Sequence, residues 1–109
     1  MLYEKMMRAQ DEKDIDSFLE LLHDEFRMVS HQLGIERDKA AFSEMAAQMM
    51  ASTASSFDRQ RCLYENDEML VEHSFMTLPD GSREAVMAVW TKLEGKLLQV
   101  ETGATPISN

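Results

Sequence analysis

Leu2, Tyr3, Met6 and Met7 fall on one side of a helical wheel over residues 2–13, with charges elsewhere, which predicts an amphipathic helix. Ile15, Phe18, Leu19 and Leu22 then follow the i, i+3, i+4, i+7 spacing of one buried face. They predict a second helix, capped by Asp14 or Asp16 and ended by His23-Asp24. Over 25–32 the period changes to two: Phe26, Met28 and Ser30 alternate with Arg27, Val29 and His31, as in a strand. Gly34 interrupts the chain, and Asp38 caps a third predicted helix striped with Phe42, Met45, Ala46 and Met49. That helix fades into a run of small, mostly polar residues at 51–56. Four further strands are predicted at 57–65, 69–78, 83–93 and 96–104. The turn signals Asn66-Asp67, Asp80-Gly81 and Glu94-Gly95 join them into an antiparallel meander. Helices early and strands late make the expected class α+β.

No repeat, low-complexity tract or linker divides the chain, so 1–109 reads as a single domain. Apolar residues make up 44% of the 109, enough for a core. A chain of this length buries roughly 65% of its unfolded surface, so association would add useful stability. The net charge of −9 argues against nucleic acid and against anionic membrane surfaces, both of which need clustered Lys and Arg. Arg59-Gln60-Arg61 is the local exception and reads as a solvated strand edge or interface feature. Cys62 is the single cysteine, so no internal disulfide is expected. The first residues carry neither the cationic start nor the apolar run of a signal peptide, no stretch approaches a membrane span, and the expected location is cytoplasmic. Ten methionines suit either ordinary core filling or an adaptable apolar pocket.

The closing segments EHSFMTLPDGSREAVMAVW and LEGKLLQVETGATPI, in the order strand, Asp-Gly, strand, Glu-Gly-Lys, strand, resemble the NTF2-like superfamily in its SnoaL-like branch of small proteins. The resemblance covers nearly the whole chain. It implies an NTF2-like cone, with three N-terminal helices packed on a curved, mostly antiparallel β-sheet. It also implies a small organic molecule as partner and pairing of two copies through their sheets. The family includes isomerases, cyclases, dehydratases and binding modules without chemistry, so it implies no single activity. Relatives of the ketosteroid-isomerase kind use a tyrosine and aspartates, and cyclase-like relatives an Asp/His pair. Tyr3 is the one first-helix tyrosine here, and only His73 with Glu101 offers an acid–base pair.

Register decides which side chains share a face, because a one-residue slip exchanges the two faces. With Asp80-Gly81 as a two-residue loop, His73 lies opposite Ala88, Phe75 opposite Val86 and Val71 opposite Trp90. With Glu94-Gly95 treated alike, Trp90 faces Gln99 and Ala88 faces Glu101. The row His73–Ala88–Glu101 then crosses three strands on the concave side, its ends about 10 Å apart at the backbone. An odd loop length or a bulge inverts this, turning Glu72, Ser74 and Thr102 inward and His73 toward a partner chain. Both faces are substantially apolar, where a sheet with one wet face alternates cleanly. The helices can cover one of them, and a homodimer through the convex face would cover the other.

On this reading His73 and Glu101 are the candidate acid–base pair, since an imidazole and a carboxylate in an apolar hollow both exchange protons near neutral pH. His31, Phe75, Ala88, Trp90 and Gln99 are the candidate ligand-binding residues. The expected function is binding of a mostly apolar organic molecule, with cofactor-free isomerase-, cyclase- or dehydratase-like chemistry as its extension. The alternative is a non-catalytic dimeric scaffold or protein-binding module. The same residues also have structural readings: His73 as a hydrogen-bonded strand residue, Glu101 paired with Arg83 or Arg61, Trp90 as core. No cofactor or metal is expected. There is no phosphate loop or dinucleotide fingerprint and no Gly-x-Ser-x-Gly elbow. His31, His73 and Glu101 would form a metal-binding set only if all three pointed inward.

Overall fold

The computed structural model describes residues 1–108. Two helices open the chain, α1 (Leu2–Asp11) and α2 (Ile15–Leu19). Asp14 caps α2 by accepting from the Ser17 amide at 3.1 Å, one of the two predicted caps. The helix is shorter than its apolar spacing suggested. Leu22 is captured by β1 (Leu22–Ser30), where it pairs with Leu97, and the Leu97 amide donates to the Leu21 carbonyl at 2.8 Å. Tertiary pairing outweighs the helical period there.

A strand not predicted from the sequence follows, β2 (Ile35–Asp38), paired antiparallel with β1 through a turn in which Gly34 takes φ 67°. It is short and carries Glu36, Arg37 and Asp38, a composition that discourages edge-to-edge association. Asp38 then caps α3 (Lys39–Ala51), accepting from the Ala41 amide at 2.9 Å. The three helices are therefore not consecutive: β1 and β2 separate α2 from α3. Among the described residues no helix is long and apolar enough to cross a membrane.

The remaining strands are β3 (Ser56–Glu65), β4 (Met69–Thr77), β5 (Arg83–Leu93) and β6 (Lys96–Ile107). They form the predicted meander within one sheet of order β2-β1-β6-β5-β4-β3. All neighbours are antiparallel except β1 and β6, whose parallel pairing ties the early strand to the last one. Met6, Leu22, Phe26, Phe42, Leu70, Ala88, Trp90, Leu97 and Val100 form the core, between the helices and one face of this sheet.

Two connections set the register, and each departs from the simple count, the first in its loop length and the second through a bulge. Between β4 and β5 the Gly81 amide donates to the Leu78 carbonyl at 2.9 Å, and the Leu78 amide to the Ser82 carbonyl at 2.8 Å. Pro79 and Asp80 thus occupy the centre of a turn, and Gly81 takes the left-handed position that follows it, at φ 86°. Proline's fixed φ suits the first central position of such a turn, which makes the loop odd. His73 consequently pairs with Met87, and Glu72 with Ala88. Glu94-Gly95 does form a two-residue turn, with both residues at positive φ and Leu93 opposite Lys96. A bulge between Thr91 and Lys92 then shifts the register by one, so Trp90 faces Val100 and Ala88 faces Thr102. β5 keeps its expected orientation, while β4 and β6 both invert.

Candidate functional site

The inversion of β4 turns Leu70, Glu72 and Ser74 toward the helices, and all three are buried. Glu72 lies between Cys62 on β3 and Ala88 on β5. Its carboxylate accepts from the Trp90 indole N–H at 2.7 Å through Oε2. The other oxygen makes no hydrogen bond among the described residues. Burial raises the Glu72 pKa above the usual glutamate value, and the indole hydrogen bond offsets only part of that. A side chain that is 8% exposed and holds its proton more tightly than an ordinary glutamate is a proton donor in waiting.

Tyr3 of α1 contributes the second polar group. Its hydroxyl is buried and finds no partner among the described residues. Burial raises the phenol pKa, and the charges of Glu72 and Cys62 raise it further. A cluster of tilted and edge-on aromatic rings lies on the α3 side. Phe26 and Phe42 lie 4.7 Å apart between centroids, and Phe42 meets Trp90 edge-on at 6.4 Å. Ala88, small and buried, lies beside Glu72 on β5.

The start of α1 is held in place by a second buried carboxylate. Glu65 accepts from the Leu2 and Tyr3 amides at 2.7 and 3.3 Å, free donors in the first turn of the helix. Lys92 donates to the same carboxylate at 2.7 Å and to the Asn66 carbonyl at 2.7 Å. Burial alone would raise the Glu65 pKa. The lysine and the two amides more than cancel that and hold it below the usual value.

The predicted pair lies elsewhere. His73 and Glu101 do share a face, but it is the outer one, away from the helices, because both strands that carry them are inverted. Glu101 is bound by its neighbours on that face: His31 Nε2 stands 3.0 Å from one oxygen, and the Gln99 amide donates to the other at 3.0 Å. His73 packs edge-on against Phe75, 5.2 Å between centroids, with its Nδ1 buried and unpartnered. His31 and His73 border an open depression of ≈ 500 Å³ floored by Ala85 and Gly103, not a hollow beneath the helices. Of the residues expected to meet a ligand, Ala88 and Trp90 line the inner face, and His31, Phe75 and Gln99 belong to the outer one. Among the described residues no three His, Cys, Asp or Glu side chains converge on a metal position.

Glu72 and Ser74 belong to the inverted register, and Pro79 was the signal that favoured it. Proline immediately before Asp-Gly points to a turn with a trailing left-handed glycine rather than a two-residue loop. The β6 bulge has no comparable marker in the sequence.

The family described as the SnoaL-like domain matches residues 3–100. A Kribbella flavida protein, provisionally assigned as a ketosteroid isomerase, superposes with a TM-score of 0.80 at 15% identity, over 99% of this chain and 78% of that one. An NTF2-like protein of unknown function from Burkholderia xenovorans does so at 0.78 and 11% identity, over 98% and 82%. Another from Cytophaga hutchinsonii gives 0.76 at 10% identity, over 95% and 87%. At these identities the likeness carries the fold alone. No curated protein matches the chain.

Proposed function

The chain belongs to the SnoaL-like domain family, and from that premise we propose that it binds a small, mostly apolar and uncharged organic molecule against Glu72 and exchanges a proton with it. The observation that carries the reading is the Glu72 carboxyl itself: buried, raised in pKa, and oriented by a single indole N–H that leaves its second oxygen free. The unpartnered Tyr3 hydroxyl supplies a hydrogen bond to a carbonyl or hydroxyl oxygen of the molecule. Phe26, Phe42 and Trp90 supply apolar contact. An anionic ligand would meet Glu72 in an acidic protein, so a neutral one fits better. The chemistry available is general acid–base catalysis, proton transfer next to a carbonyl, with no cofactor required by these groups.

Trp90 is the single tryptophan and touches the proposed ligand position. Its fluorescence, titrated with a panel of neutral cyclic ketones and phenols, should change saturably for at least one. Glu72→Ala and Tyr3→Phe should each weaken that response. A panel that produces no saturable change, or variants that bind as tightly as the parent, would refute the reading.

A second reading concerns the outer face. Tyr64, Leu63 and Met87 are 55%, 45% and 42% exposed there or along its margin, and Val71, Val89 and Phe75 are half-buried beside them. This supports a homodimer through the outer sheet face, compatible with ligand binding on the inner one. Sedimentation should find a dimer at micromolar concentration, and Met87→Lys should shift it toward monomer. A wild-type protein that sediments as a monomer throughout that range sinks the idea.

A further inference from the structure

We infer that α1 is a lid over the Glu72 site, hinged at residues 12–14 and latched at both ends, and that it opens as a unit to admit a molecule. The inference deepens the Glu72 reading, because it says how a ligand reaches a carboxyl that the closed protein buries. Tyr3, whose hydroxyl faces that site, is itself part of α1, so opening the helix withdraws one wall of the site. Glu72 is otherwise enclosed by β3, β5 and the aromatic cluster.

The attachment of α1 is of the kind that releases locally. Only Met6 and Ala9 of the helix are fully buried, a narrow apolar strip for ten residues. Leu2, Tyr3 and Met7 add partly buried apolar contact with the core, and the polar part of the hold lies at the ends of the helix. At the start, the Leu2 and Tyr3 amides are clasped by the Glu65 carboxylate, which Lys92 holds from the other side. At the end, the Gln10 and Gln60 side chains exchange two hydrogen bonds, at 3.0 and 3.2 Å. Water can replace each of these contacts once the helix lifts. Tyr3, Glu4, Met7, Arg8, Asp11 and Glu12 line an open surface depression along the helix. The chain reverses beyond the helix at Lys13, in the left-handed conformation at φ 52°. The next fixed point is Asp14, anchored in the cap of α2. Motion about residues 12–14 therefore lifts α1 away from its packing on α2 and the core, while the cap of α2 and the sheet keep their own hydrogen bonds.

Native-state hydrogen exchange of the wild-type protein tests this without a ligand or a variant. At low urea, amides of α1 should exchange at least about ten-fold faster than those of β5 and β6, through an opening with weaker urea dependence than global unfolding. The double variant Gln10→Ala/Gln60→Ala should speed exchange across α1 several-fold and raise acrylamide quenching of Trp90, leaving β5 and β6 exchange unchanged. If α1 amides exchange only with global unfolding, at the rate of β5, the lid does not exist. If the latch variant speeds both regions equally, the contacts are merely structural and the inference is likewise overturned. Because no ligand enters these measurements, failure of the ligand titration would leave them standing, and their failure would leave the titration standing.

Discussion

Removing Lys92 should be among the most damaging single changes at a position outside the apolar core. Its side chain is 5% exposed and that of Glu65 is 8%, with Nζ and Oε2 2.7 Å apart. In Lys92→Met the carboxylate stays buried without its cation. Breaking a buried pair from one side costs roughly 3–5 kcal/mol. Here the Leu2 and Tyr3 amides still solvate the orphaned carboxylate, which places the loss at the low end, about 3 kcal/mol. That corresponds to a fall in melting temperature of roughly 10 °C or more for a domain of this size. In Glu65→Gln the amide oxygen can still accept from α1, but the ammonium keeps no charged partner, only the Asn66 carbonyl and a weak contact with the Met1 sulfur, so a loss of about 2 kcal/mol is expected. The double variant leaves no buried charge, and its loss should fall short of the sum by at least ~1.5 kcal/mol. Urea unfolding of all four proteins at one fixed concentration closes the cycle. Additivity within ~0.5 kcal/mol would show that the two groups do not act as a buried pair, and the assigned role of Glu65 in holding α1 would fail with it.

The two buried glutamates should tilt stability in opposite directions with pH. Glu72 has a folded pKa above the ordinary 4.5, so the native state binds its proton more tightly, and stability is lost as pH rises from about that value through the folded one. Glu72→Gln should therefore gain on the wild type as pH rises through that window, measured by urea unfolding; a constant difference would contradict the shift. Glu65 has a folded pKa below 4.5, so its contribution is present above that value and lost as pH falls through the folded one, and Glu65→Gln should flatten the acid limb of the same curve. Trp90→Phe removes the one donor to Glu72, which should cost about 1–3 kcal/mol and steepen the loss of stability above pH 4.5. Phe42→Ala, in contact with Phe26, Trp90 and Phe18, should cost about 3–5 kcal/mol by thermal unfolding, while a loss under ~1 kcal/mol would mean the aromatic cluster is loosely packed.

Most of the architecture could be read from periodicity, because helical and strand patterns differ in repeat. The stripe Phe42, Met45, Ala46 of α3 and the long strands of the meander follow from it directly. Strand β2 could not be read, since Ile35-Glu36-Arg37-Asp38 is an exposed edge whose only signal is its pairing with β1. The parallel contact of β1 with β6 likewise joins distant segments and leaves no local trace. The site was half legible. That polar residues would sit among apolar ones on β4 was plain, but which of them look inward depends on loop parity. The odd-length loop at Pro79–Gly81 and the bulge near Leu98 exchange Glu72 for His73 and Val100 for Gln99. A face assignment made by counting is only as good as every turn it crosses. β5 escaped because the flips lie on either side of it, which is why Ala88 and Trp90 kept their expected places.

The direct measurement is a pH titration of the glutamate side-chain carboxyls by carbon-13 NMR, with the Glu72 signal assigned by its disappearance in Glu72→Gln. The inward, desolvated carboxyl described above should titrate clearly above the ordinary 4.5 and rise further in Trp90→Phe. A Glu72 signal that titrates at or below 4.5, unmoved by the loss of the indole, would place this side chain in water and remove the foundation of the proposed site.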